Sequence, residues 1–256
     1  MFAIALPVIA QNGDSPTIQA RVAINQGVAA FRNANYSRAV EFFKQAVELD
    51  PDSTTAQVYL ATAYAQQYVP GKQSQENLQY GSNAIESFKR ILKKDPQNMN
   101  ALSGLASIYQ NTGDLANARE SFLAVSKIDS TNPVAFYAVG ALDWLMVYDR
   151  QNPQPLALQS RLIEEGLTYL DFALSLNPDY EDAMTYKNLL IREKVRFTTD
   201  PSEQAKLTAM ADDWFNKALE TRKRNAQRRA PQGVSTGTRT IIVPAPPSPP
   251  APPPPR

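Results

Sequence analysis

The sequence predicts an all-α fold, an array of about five stacked helical hairpins, and three observations carry that reading. The stretch from Ala20 to Ser53 holds a pattern of small and large apolar residues that returns four more times along the 256 residues. Its spacings suit two antiparallel helices. Gly27 and Ala39 lack bulk, so two helix axes can approach where they cross. Phe43 and Ala46 share one face at i and i+3, placed to pack under a following helix, and Pro51 stops that helix because it cannot continue the hydrogen-bond ladder. Finally, the step from each terminator to the next small residue is constant at ten positions: Pro51 to Ala61, Pro96 to Ala106, Ser130 to Gly140 and Pro178 to Asn188.

The second helix recurs as Ala84, Phe88, Ile91 and Pro96, then Ala118, Phe122, Val125 and Ser130, then Gly166, Leu170, Ala173 and Pro178, with a fifth copy, Ala211, Phe215 and Ala218, that lacks the proline. Period and pattern together resemble the tetratricopeptide repeat, from Ala20 to Arg224. The repeats then span 20–53, 54–98, 99–132, 133–180 and 181–224. The resemblance implies a right-handed superhelical solenoid over 20–228, with a concave groove lined mainly by first helices and used to bind a protein or peptide. Asn188, standing where the other repeats have a small residue, marks the fifth as a degenerate capping repeat with a polar outer face.

Local signals place the helix ends. Asn33 to Ser37 makes the first turn, and Ser53 and Asp114 are expected N-caps, since a short side-chain oxygen can accept an orphan amide. Lys93 and Lys94 complement the negative end of a helix dipole. Gly113 supplies a left-handed turn. The interval between the two small residues of a hairpin is 12 in the first and third repeats but 23, 26 and 23 in the second, fourth and fifth. The extra residues fall in YVPGKQSQENLQYGS, VYDRQNPQPLALQSR and around VRFTTDPSEQAKL, where they lengthen helices or form loops.

The composition removes several function classes. There is no Cys and no His, so the usual zinc ligands and the usual hydrolytic nucleophile and base are missing. Pro70 to Lys72 lacks the glycine and hydroxyl residue of a phosphate-binding loop. Asp143 is a lone carboxylate on an apolar helix, expected to bond a neighbouring helix. Asp212 and Asp213 are adjacent on a helix and point about 100° apart, so they do not converge on one substrate atom. No enzyme, cofactor, metal or nucleic-acid partner is expected.

The two ends differ from the body. Phe2 to Ile9 is apolar and is followed by Ala10, in the manner of a secretory leader cleaved before Gln11, which assigns 1–19 to a leader and the protein to the periplasm or the exterior, the alternative being the cytoplasm. That run is too short to span a bilayer. Residues 222–256 carry seven Lys and Arg and no acid, leaving 19 cations against 25 acids, a charge of −6, on the rest. Beyond a basic helical extension, residues 229–256 form a tail with nine prolines between Pro244 and Arg256, expected to be disordered and to sample polyproline II, with Thr240 to Val243 its only apolar patch.

Function is expected in the groove. First-helix positions flanking the small residue, one turn from the packing face, are Tyr59, Thr62 and Gln66, then Ser103, Ser107 and Gln110, then Tyr137, Trp144 and Arg192. The middle of this set is polar and uncharged, with aromatic residues beside it, which suits an extended peptide; the opposing reading is that Tyr59 and Trp144 fill gaps between helices. Some members of the family grip a terminal carboxylate with a Lys, Asn and Arg clamp. The matching positions here are Ile24, Val28, Tyr59, Asn100 and Gly104, so the clamp is absent. The rival function is an envelope tether whose basic, proline-rich tail holds an anionic polymer or a proline-binding module.

Overall fold

The computed structural model describes residues 16–149 and 152–229, and every regular element among them is an α-helix. The helices form five sequential hairpins: α1 (Pro16–Arg32) with α2 (Tyr36–Leu49), α3 (Thr54–Gln67) with α4 (Gln75–Lys94), α5 (Met99–Thr112) with α6 (Leu115–Ile128), α7 (Pro133–Tyr148) with α8 (Leu156–Leu176), and α9 (Glu181–Phe197) with α10 (Pro201–Arg229). α1 starts ahead of Ala20, within the residues assigned to the leader. Two compact units divide within α5, between Gly104 and Leu105. Of the segment 1–19 assigned to a leader, residues 1–15 lie outside the described residues, as do residues 230–256 of the expected tail, including Thr240 to Val243.

Caps fix the helix starts. The Ser53 and Asp114 side chains accept from the amides of Ala56 and Asn117, as expected, and Asn35, Ser74 and Asn132 cap α2, α4 and α7 in the same way. Gly113 sits at φ +83°, the left-handed geometry a residue without Cβ adopts at no steric cost. The insertions go mostly into the second helices. Against 14 residues for α2 and α6, α4 has 20, α8 has 21 and α10 has 29. The remainder makes short loops, and the loop before α4 is held by buried Asn77. Its amide nitrogen donates to the carbonyls of Val69 (2.9 Å) and Lys72 (2.7 Å), and its oxygen accepts from the Val69 amide at 2.7 Å.

Packing follows the predicted spacing. The small residues Ala39, Ala61, Ala84, Ala106 and Ala118 are completely buried. The space above Gly27 is filled by the Phe43 ring and that above Gly104 by the Phe88 ring, so a Cβ at either place collides with an aromatic core residue. The residues one, four and eight positions past the small residue of each second helix line its packed face. These are Val40, Phe43 and Val47; Ile85, Phe88 and Leu92; Arg119, Phe122 and Ser126; and Leu167, Leu170 and Leu174, each of which is buried or half-buried.

In α10 the same three positions are Asp212, Phe215 and Leu219, and no described helix follows; Phe215 is 43% exposed and Leu219 42%. The large apolar residue that is core in the other repeats, Phe43, Phe88, Phe122 and Leu170, is here a surface residue. Phe43→Ala is therefore expected to cost about 3 to 5 kcal/mol in urea denaturation and Phe215→Ala about 1 kcal/mol. Equal losses would show that something covers α10 in solution.

Candidate peptide-binding surface

In the unit up to Gly104, α3 carries Tyr59, Thr62 and Gln66 on one face, at i, i+3 and i+7. Tyr59 lies flat on the Phe43 ring, with centroids 5.2 Å apart and planes 11° apart, and keeps 39% of its surface open. Phe43 is itself wholly buried, so the platform under Tyr59 is rigid. The Thr62 hydroxyl donates to the Val58 carbonyl at 2.8 Å, which leaves its oxygen as an acceptor. Gln66 is exposed, and the neighbouring Gln67 accepts from the Ser37 hydroxyl at 3.0 Å. Ser103, on the first part of α5, is half-buried. Tyr59 stacks on the core and also presents an edge.

In the unit from Leu105 onward the predicted residues separate. Ser107 and Gln110 are half-buried on α5. Tyr137 and Trp144 are 6% and 3% exposed, which corrects their placement on a ligand-facing surface. They belong to an aromatic core: Tyr137 packs on Tyr180 (4.9 Å between centroids) and edge-on to Tyr186 (5.7 Å), and Trp144 meets Tyr186 edge-on at 5.5 Å. The reason is that α7 packs against α8 and also against α9, so its apolar residues are covered on two sides and few remain for a groove. The aromatic that reaches the surface is Tyr148, 41% exposed and stacked on Trp144 at 4.7 Å. Its place one turn past Trp144 at the helix end was the available signal.

Arg192 is half-exposed and pinned. Its Nε donates to Asn188 Oδ1 at 2.9 Å and its Nη2 to Asp212 Oδ1 at 2.7 Å. Asn188 itself is buried, so the polar residue in the small-residue position of the fifth repeat works as the seat of Arg192. Asp213 pairs with Lys217 at 2.7 Å, so each of the adjacent aspartates has its own cation. Within the aromatic core the buried Tyr186 hydroxyl has no hydrogen-bond partner among the described residues, and burial pushes its pKa up to about 12. Removing an unpaired buried hydroxyl relieves its desolvation cost, so Tyr186→Phe is expected to raise stability by about 1 kcal/mol in thermal or urea melts. A loss would reveal a partner.

Asp143 is fully buried and bonds a neighbouring helix, as expected. Arg119 on α6 donates to both of its carboxylate oxygens, and the same guanidinium reaches Glu165 on α8 at 2.6 Å. Arg119 holds the position where the first, second and fourth repeats have Val40, Ile85 and Leu167, and the sequence pattern gave no sign of this pair. The basic end of α10 is also engaged. Arg222 pairs with Glu181 (3.4 Å), while Arg224 (3.0 Å) and Arg228 (2.9 Å) pair with Asp179. Three of the cations assigned to a polymer-binding tail thus serve to hold α10 to the start of α9. Among the described residues no helix is long and apolar enough to cross a membrane.

Known proteins agree with this architecture. Family models for the tetratricopeptide repeat match residues 20–53 and 81–142. Solved structures share the fold at low identity. The MamA protein is 16% identical with a TM-score of 0.60, covering 84% of this chain and 98% of its own. MamA (41-end) from Desulfovibrio magneticus RS-1 is 16% identical with a TM-score of 0.60, covering 80% and 96%. YrrB, described as a TPR protein with an unusual peptide-binding site, is 15% identical with a TM-score of 0.57, covering 82% and 92%. No curated protein matches the sequence.

Proposed function

Because the chain is a tetratricopeptide-repeat protein, we propose that it is a non-enzymatic scaffold that binds an extended peptide on the exposed faces of its first helices. The observation that carries this is the α3 face, where Tyr59 is held against buried Phe43 with Gln66 open beside it. A rigid aromatic with a polar tip gives contact area at little entropic cost, and adjacent amide and hydroxyl groups suit a peptide backbone. The peptide-binding site named for YrrB, a protein of the same fold, supports the reading. Export to the cell envelope belongs to the proposal. It rests on the apolar segment Phe2 to Ile9, and the mature mass should correspond to a chain starting at Gln11.

The test is selection of peptides from a display library against the full chain, followed by titration of the enriched sequences. Tyr59→Ala is expected to weaken binding about tenfold or more, at a stability cost near 1 kcal/mol from the lost stacking. Gln66→Ala should weaken binding with no change in melting. If both variants bind as the wild type does, the α3 face is not the site.

A further inference from the structure

The end of α10 is fixed against the loop that joins α8 to α9. Arg224 and Arg228 donate to the two carboxylate oxygens of Asp179 at 3.0 and 2.9 Å, and the Asn225 amide donates to the Asp179 carbonyl at 3.4 Å. Asp179 follows Leu176, the last residue of α8, by three positions. Beside that helix end lies an apolar ridge built from α7 and α8. Phe136 stacks with Tyr169 (6.3 Å, 19°) and packs on Phe172 (5.6 Å, 35°), while Phe172 is 51% exposed and Leu176 42%.

We propose that this ridge is the docking site of the chain's own proline-rich segment, Pro244 to Pro255, bound in the polyproline II conformation. Proline rings pack flat on aromatic faces, and polyproline II is largely preformed, so its ordering cost is small. Reach is sufficient. Residues 230–243 form a 14-residue linker, with an average span of about 20 Å and a maximum of about 45 Å. Crossing the end of α8 takes about 10 Å and climbing one turn to Phe172 about 5 Å. Tethering keeps the segment at an effective concentration in the millimolar range, so a weak contact is enough.

Another uncovered apolar face, at Phe215 and Leu219 of α10, lies at positions that are buried or half-buried in the earlier repeats, where a further helix follows. A run with nine prolines cannot supply one.

The sequence has no cysteine, so Ser248→Cys in the full chain gives a single site for a nitroxide label. Amide spectra of the labelled chain are expected to lose intensity selectively at Phe136 and over 169–176. Phe172→Ala, at an exposed position, should abolish that loss while the chain stays folded and its amide spectrum is otherwise that of the wild type. Intensity lost instead around Phe215 and Leu219, or nowhere beyond the end of α10, overturns the proposal. A mixture of nitroxide-labelled chains without nitrogen-15 and unlabelled nitrogen-15 chains separates the remaining possibility. Broadening at the ridge in that sample would seat the segment on a second copy and overturn docking within one chain.

Discussion

Arg119→Met is expected to lower the stability of the protein by about 3 to 5 kcal/mol, read from urea denaturation at neutral pH. Asp143 is fully buried and Arg119 is 15% exposed, so removing the cation leaves a buried carboxyl that has lost its partner and must either stay ionised unpaired or take up a proton. Replacing both, as Arg119→Met with Asp143→Leu, should recover most of the loss, because a buried ion pair contributes little net stability compared with packed apolar side chains. Val40, Ile85 and Leu167 at the position of Arg119 show that an apolar residue fits this contact.

The pH dependence has a definite sign. Burial pushes the Asp143 carboxyl up to about 7 from its ordinary 3.8, against the opposing pull of Arg119. A value raised on folding means that the folded chain holds the proton more tightly. The stability this group contributes is therefore fully present below 3.8 and is lost as pH rises to and through about 7. Without Arg119 the value rises further. The deficit of Arg119→Met relative to wild type should then be smallest in acid and should grow toward pH 9. A deficit that shrinks as pH rises would contradict the burial of an ionised Asp143.

The repeats were legible because each spacing answers a local packing need. Gly27 leaves room for Phe43 and Pro51 stops α2, and neither depends on distant sequence. The insertions were legible in position but not in form, since a helix extended by one or two turns and a loop of equal length differ mainly in capping, which Ser74 and Asn77 decide. The candidate surface was read less well. Residue spacing on a single helix locates a face but does not say how many other helices cover it. Tyr59 on α3 remained open, whereas Tyr137 and Trp144 were enclosed once α9 closed over α7. The Arg119 to Asp143 pair was beyond a periodicity argument altogether, since its partners lie 24 residues apart on different helices.

That enclosure makes Trp144→Ala the second large effect, an expected loss of about 3 to 5 kcal/mol. Trp144 is 3% exposed, and its indole is sandwiched by contacts with Tyr148 at 4.7 Å and Tyr186 at 5.5 Å, so truncation leaves a cavity that rings fixed on two other sites on α7 and α9 cannot readily fill. Tyr148→Ala is the matched control: the same aromatic stack is removed from its exposed end, and the cost should fall to about 1 kcal/mol. The pair also separates packing from recognition. If Trp144 acts only through the core, Trp144→Ala loses peptide binding only to the extent that it unfolds the chain, and binding returns under conditions that restore folding. A Trp144→Ala protein that melts as the wild type does, yet no longer binds peptide, would put Trp144 on the ligand-facing surface after all.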